Sequence, residues 1–401
     1  MYEEIDGVGF DKNLLKALEV YYGKSGVPYF SLVNKGVRFN EYVGVIQVGN
    51  TVIEILPKAD KQEEDKSRWR DLLIGMLKAV GSFDIKATSN SNLKIQPNTI
   101  LDLYFELFIN EVEYLLHNGL IKRYRKKEGN VHSLKGSLQF SKNIQKNLVH
   151  QERFYVRHTT YDVDHQLHQI LYKTILLLKQ INTNAKLQSR IGALLLNFPE
   201  MKDIKVIEST FDRIVYTRKN ISYKKPIEIA KLLLLQYHPD LSKGRNHILA
   251  LMFDMNLLWE QFVYRTLRKN RKDNFQVRSQ YVKYFWKPQY GKRSFMKPDI
   301  VLTKSNQTIV LDTKWKNLNG YNPSPDDLRQ MFVYHKYFNA NKVALVYPGS
   351  DNSIIKGNYL DSEKGINPEN ECSVVLLQTN KIIKDWQDNI NKEIVSWIDN
   401  P

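Results

Sequence analysis

The chain has 401 residues, 59 Lys+Arg against 43 Asp+Glu, 42% hydrophobic and 11% aromatic residues, and one cysteine. That composition excludes a mostly disordered chain, and the lone Cys372 excludes a disulfide framework or a cysteine-based zinc site. No apolar run approaches the ~18–20 residues of a membrane helix and no secretory pattern opens the sequence, so the expectation is a cytoplasmic protein of two or three domains with no membrane partner.

Residues 27–60 read as β. Val43 to Pro57 is two apolar runs joined by Gly49-Asn50, a two-residue hairpin signal, and Pro57 ends the second strand. From Trp69 to about Arg125 the pattern is helical, with Leu101, Tyr104, Leu107, Phe108, Val112, Leu115 and Leu116 at spacings of three and four. Asn130 to Leu148 looks irregular, whereas 165–197 and 226–236 are amphipathic helix. A long helix is expected over 246–268, followed by strands at 276–286, 294–303 and 307–315. Ser324-Pro325-Asp326-Asp327 then opens a helix to about Phe338, with Ser as N-cap and Pro at the first helical position. The buried strand Val343–Tyr347 closes an α-β-β-β-α-β unit. The fold class expected is α/β, or α+β overall, with a mixed sheet flanked by helices.

The net charge of +16 favours an anionic partner, nucleic acid first, and it is clustered. Residues 251–350 hold 17 Lys+Arg and 7 Asp+Glu, and residues 121–160 hold 10 and 2, starting with the run 122–127. The bland alternative is a solvated cationic face. Tyr281, Tyr284, Phe285, Trp286 and Tyr290 alternate with Lys283, Lys287, Lys292 and Arg293; these rings either fill a core or flank DNA.

Chemistry concentrates at the ends of the central strands. Asp299 follows Pro298, and Asp312 and Lys314, two apart on a strand, point to one face. Two carboxylates and an ammonium suit Mg²⁺-assisted phosphodiester hydrolysis: carboxylates hold a hard cation, and the lysine orients or deprotonates water or stabilises transition-state charge. Glu260 lies on an otherwise apolar helical stripe and is a possible third metal ligand. Gln330 and Tyr334, four apart, share a helix face. A lone D-x-K triplet is equally a surface ion pair, but the apolar residues before Asp312 mark a buried strand, where unpaired charge is costly. His165 and His168 lack a third metal ligand nearby and read as structural. No G-x-S-x-G elbow is present, and Gly23-Lys24-Ser25 has Leu18 where a phosphate loop needs its first glycine.

Pro298-Asp299…Asp312-Thr-Lys314 resembles the PD-(D/E)XK nuclease signature, and Gln330-Met-Phe-Val-Tyr334 resembles the QxxxY element of its RecB-like branch. Tyr42-Val-Gly-Val-Ile46, Ile53-Glu-Ile-Leu-Pro-Lys58, Leu134-Lys-Gly-Ser-Leu138, Tyr161-Asp-Val-Asp-His-Gln-Leu167 and Leu311-Asp-Thr-Lys-Trp-Lys316 resemble, in that order, the McrC family. McrC is the nuclease subunit of McrBC-type restriction systems directed at 5-methylcytosine. His165 departs from an asparagine expected there.

The resemblance implies catalytic Asp299, Asp312, Lys314, Gln330 and Tyr334, with Mg²⁺ held by Glu260, Asp299 and Asp312. The basic residues in and beside this region, Lys283, Lys287, Arg293, Lys297 and Lys316, are the expected DNA contacts. The resemblance also implies a separate AAA+ GTPase of McrB type, which binds the GTP, double-stranded DNA as substrate, and a second nuclease subunit for double-strand cleavage. The expected organisation is a partner-docking domain at 1–130, a helical connection at 131–245 and a nuclease domain at 246–401. The run 122–127 faces either the GTPase ring or the DNA. The alternative function is a non-cleaving adaptor that activates a partner GTPase or binds DNA.

Overall fold

A computed structural model describes residues 12–57, 66–80, 99–238, 247–269, 275–304, 307–316, 318, 322–361 and 365–399. Lys58 of the N-terminal motif lies outside them. The fold is mixed α/β, and the chain divides into two compact units. One comprises Met1–Ile46, Val52–Ser91 and Met252–Pro401; the other comprises Gln47–Thr51 and Asn92–Leu251.

The second unit is mainly helical. Helices Ile100–Asn118, Gln166–Ile181, Ala185–Asn197 and Lys224–Leu235 pack on one another through the apolar stripes their spacing predicts. The stretch 130–148, expected to be irregular, holds a short strand, Ser137–Leu138, and helix Phe140–Asn147. The helical pattern expected to about Arg125 ends at Asn118; strand Arg123–Val131 follows and pairs antiparallel with Phe154–Asp162. Residues 123–128 are almost all charged, so periodicity gave no strand signal; ion pairs across the ladder support it. Arg125 reaches Asp162 at 3.1 Å and Asp164 at 2.8 Å, and Lys127 reaches Asp162 at 2.8 Å. The basic run is thus partly neutralised within its own sheet. His165 accepts from Leu167 N at 3.0 Å as a helix N-cap. His168 is buried, with Nδ1 on the Val163 carbonyl and Nε2 2.9 Å from the Tyr223 hydroxyl. Both histidines are structural.

The first unit carries a six-stranded mixed sheet. Its elements are helix α1 (Met255–Lys269), strands β1 (Gln276–Ser279), β2 (Lys283–Trp286), β3 (Ser294–Met296), β4 (Ile300–Lys304) and β5 (Gln307–Thr313), helix α2 (Pro325–Tyr337), strands β6 (Lys342–Gly349), β7 (Ser353–Asp361) and β8 (Gly365–Gln378), and helix α3 (Ile383–Asp399). The sheet order is β1-β4-β5-β6-β8-β7, with β5, β6 and β8 parallel, while β2 and β3 form a separate two-stranded ribbon. Helix α2 covers one face through Val310, Val343, Leu345 and Tyr347. Helices α1 and α3 lie on the other, where Trp259 stacks on Trp386 at 5.5 Å and meets Trp315 edge-on at 5.4 Å.

Three expectations need correction. The helix predicted over 246–268 is a strand, Ile248–Asp254, followed by α1; a continuous apolar run does not distinguish the two. Asp254 accepts from Leu257 N at 3.0 Å and starts the helix. The predicted strands 276–286 and 294–303 each break in two, at Gln280, which has φ +49°, and at Pro298, which has no N–H to give a ladder. The unit also continues past Tyr347 through the β7–β8 hairpin and α3. Gly23-Lys-Ser follows a helix, Lys12–Tyr22, instead of opening one.

Candidate active site

Strand β5 buries Ile309, Val310 and Leu311, and its antiparallel register with β4 pairs Ile300 with Leu311. That register brings Asp299, one residue before β4, beside the end of β5. Asp299 Oδ2 accepts from Thr313 N at 2.7 Å and from Thr313 Oγ1 at 2.9 Å. Asp312 is 1% exposed, and its Oδ2 lies 2.8 Å from Lys314 Nζ. Lys314 N continues the ladder to Val346 O at 3.0 Å, which sets its side chain on the same face as that of Asp312.

Helix α2 supplies two more groups. Ser324 caps it by accepting from Asp327 N at 3.2 Å, and Pro325 occupies the first turn. Gln330 Nε2 donates to Asp312 Oδ1 at 3.4 Å and to the Tyr334 hydroxyl at 2.9 Å. Helix α1 contributes Glu260, 6% exposed, whose Oε2 accepts a 3.4 Å bond from Gln280 Nε2 while Oε1 is buried without a hydrogen-bond partner. Gln280 is held in turn by its N–H on the Asp299 carbonyl at 2.8 Å and by Lys297 Nζ on its Oε1 at 3.2 Å.

A cleft of about 370 Å³ opens on Glu260, Asp299, Thr313 and Lys314. Its wall includes Glu41, Asp254 and Asn256, which the sequence reading missed. Asn256 donates to Glu41 at 2.7 Å and accepts from Trp315 N at 2.9 Å, locking the strand's exit to α1. The signal for Asp254 was its helix-capping position; Glu41 and Asn256 had none.

The electrostatics are those of negative charge held out of water. Burial, then the Asp299 charge, pushes the Glu260 carboxyl up to about 7 against the opposing effects of Gln280 and Lys297. Burial also raises Asp299, despite its Thr313 donors, and Asp312, where the Asp299 charge adds to it. For Lys314, burial works against the charge, but Asp312 and Asp299 outweigh it and hold the ammonium above its usual range. Two lysines, Lys314 and Lys297, facing three desolvated carboxyls leave the site short of positive charge.

Among the described residues, no group of three or more His, Cys, Asp or Glu side chains is gathered closely enough to hold a metal ion as it stands. The donor set nevertheless fits a hard cation: Asp299, Asp312 and the unpartnered Glu260 Oε1 are all carboxylate oxygens, and mutual repulsion raises at least two of them. Of the five candidate DNA-contacting cations, Lys316 lines the cleft and Lys297 bonds to Gln280 beside it, while Lys283, Lys287 and Arg293 lie along the 281–297 segment. Lys316 pairs with Asp327 at 2.7 Å, Lys283 donates to Tyr337 O at 2.9 Å, and Arg293 lies 5.6 Å from the Tyr284 ring. Lys287 and Lys297 are exposed.

A family profile described as McrBC 5-methylcytosine restriction system component matches residues 37–348, most of the chain. The chain belongs to that family. A search of curated proteins finds no match. Among solved structures, this McrBC-family chain is similar to one from the half-complex refined from a tetradecameric assembly of Thermococcus gammatolerans McrB AAA+ hexamers with bound McrC. The identity is 24%, covering 92% of this chain and 85% of that one, with a TM-score of 0.70. A cryo-EM structure of the Thermococcus gammatolerans McrBC complex matches at 23% identity over 67% and 75% of the two chains, with a TM-score of 0.47. At 24% identity the first of these likenesses shows the fold alone. No helix among the described residues is long and apolar enough to cross a membrane.

Proposed function

We propose that this chain is the endonuclease subunit of a modification-dependent restriction system, cutting double-stranded DNA at a PD-(D/E)XK-type site. The observation that carries the reading is the convergence of Asp299, Asp312, Lys314 and Gln330 at the end of one buried strand. Asp299, Asp312 and Glu260 would hold Mg²⁺, which when bound polarises the scissile phosphate and acidifies water. Thr313 fixes the Asp299 carboxylate through two donors, so that its other oxygen faces the cleft. Gln330 orients Asp312 and is itself oriented by Tyr334. Lys314 is held charged, which suits it to placing water and stabilising phosphorane charge and disfavours a role as base.

The driving motor, in this reading, is a separate AAA+ GTPase of McrB type, and a double-strand break needs a second nuclease subunit. The similar Thermococcus structure, described as McrB hexamers with bound McrC, supports such an assembly. The test is plasmid cleavage by the chain together with an AAA+ GTPase of McrB type, with Mg²⁺ and GTP, on methylated and unmethylated DNA. Cleavage requiring both proteins, GTP and methylation is expected. Nicking by the chain alone, indifferent to GTP, would replace the reading with an autonomous nuclease. Faster GTP hydrolysis without cutting would replace it with the adaptor.

A further inference from the structure

The candidate chemistry uses none of the aromatic rings in residues 281–297. Six lie there, and all are exposed, from 40% for Tyr281 to 87% for Tyr290. The same segment holds five cations, Lys283, Lys287, Lys292, Arg293 and Lys297, and no carboxylate. It is built as a ribbon with two different sides. Phe285 packs edge-on to Tyr337 at 6.3 Å, Lys283 lies over the Tyr337 ring at 5.0 Å, and the Tyr337 hydroxyl donates to Tyr284 O. That side is fastened to α2. On the other side Tyr284 stands opposite Phe295 in register. Beyond it, Trp286 and Tyr290 have no ring or cation partner among the described residues.

The ribbon grows out of the site itself. Gln280 precedes it and Asp299 follows it, and the two are joined by the 2.8 Å bond from Gln280 N to Asp299 O. A ligand seated on the rings is therefore held on an arm whose root is fixed at Asp299. Uncovered aromatic area in an unbroken cationic field calls for a polyanion that also carries flat apolar faces. Intact duplex offers phosphates to the lysines, but its base faces are stacked inside and give the rings nothing. A protein partner is disfavoured because lysine is depleted from interface cores. An unpaired DNA strand supplies both chemistries.

The geometry points to a base-stacking platform: the ribbon 281–297, rooted at Asp299, holds unpaired DNA bases on its exposed rings, so that the strand entering the site is locally unstacked. The identity of the polymer rests on the nuclease reading. Full-length protein carrying Asp312→Asn, which separates binding from cutting, is titrated with a duplex and with the same duplex containing a short central unpaired stretch. A 2-aminopurine within that stretch reports stacking.

The unpaired probe is expected to bind about tenfold more tightly than the duplex and to be quenched. Trp286→Ala with Tyr290→Ala should remove the preference and the quench while leaving duplex affinity within about twofold. Lys287→Ala with Lys292→Ala should weaken both probes alike. Tyr290→Ala alone, at the most exposed ring, serves if the double variant does not fold. Equal binding of the two probes, or a ring variant that weakens both equally, would overturn the platform. Wild-type protein that cuts DNA but shows no preference overturns the platform and leaves the nuclease reading. A preference in protein that never cuts, with any partner, does the reverse.

Discussion

Glu260→Gln tests whether the site is strained by its own charge. The carboxyl is raised from 4.5 to about 7, chiefly by burial and next by Asp299. Below pH ~4.5 it is protonated in folded and unfolded chains alike, and its full stability is present. As pH rises towards 7 the unfolded chain releases the proton first, so stability falls, and the loss is complete above about 7. A shift of roughly 2.5 pH units at 1.36 kcal/mol each gives ~3.4 kcal/mol. Because the group borders an open cleft, solvent screening cuts that to about 1–2 kcal/mol. For a unit of this size the metal-free Gln variant should melt about 2–6 °C above wild type at pH 8 and within about 1 °C of it at pH 4.5. The Gln280 donor retains an acceptor in the variant, so the packing is unchanged. The assay is differential scanning fluorimetry in chelator across pH, then with Mg²⁺. Added Mg²⁺ should stabilise wild type at pH 8 more than the variant. Equal melting at pH 8, or a difference independent of pH, would refute the claim that Glu260 is a desolvated, repelled carboxylate.

Three further outcomes follow from the same geometry. Asp312→Asn should lower plasmid cleavage by at least about 10³-fold while circular dichroism shows a folded chain, since it removes a buried like charge without changing volume. Lys314→Met should slow cleavage about 10²–10³-fold and move the acidic limb of the pH–rate profile upwards, because Asp312 and Asp299 lose the ammonium that favours their ionised forms. Gly136→Ala should destabilise the sheet containing 123–162: the glycine has φ +73°, and a Cβ there would stand 2.4 Å from Arg157 O. A cost of about 1–3 kcal/mol should appear as faster limited proteolysis of that segment, with no change in the melting of the unit that holds Asp312.

Local signals made much of the fold legible. The cap of α2 was visible because Ser324, Pro325 and two acids obey rules that need no tertiary contact. The strand Ile248–Asp254 was not, because its apolar run has no period and its identity depends on pairing with residues far away in sequence. The β7–β8 hairpin was missed for the same reason: β8 is a strand by virtue of its parallel pairing with β6. Helix α3 carries a local signal, since Trp386, Ile390, Ile394 and Trp397 recur at helical spacing, and it went unread. Two residues, Gln280 and Pro298, turned predicted long strands into a sheet edge and a free ribbon. Neither the left-handed backbone of a glutamine nor the reach of that ribbon is written in composition.

The site was legible to the extent that it is periodic. Strand alternation alone places Asp312 and Lys314 on one face, and four-residue helical spacing places Gln330 beside Tyr334; in the structure the two pairs meet at 2.8 and 2.9 Å. Asp299 depends on register, which only the β4–β5 pairing of Ile300 with Leu311 sets. Glu260 was conspicuous as a charge on an apolar stripe, yet its partner Gln280 was invisible, since it acts through a backbone turn. The same turn projects the aromatic ribbon from the rim of the site. Its rings were ambiguous in sequence between core and ligand, and exposure speaks against the core: a core position would be covered, and Tyr290 at 87% exposure is not.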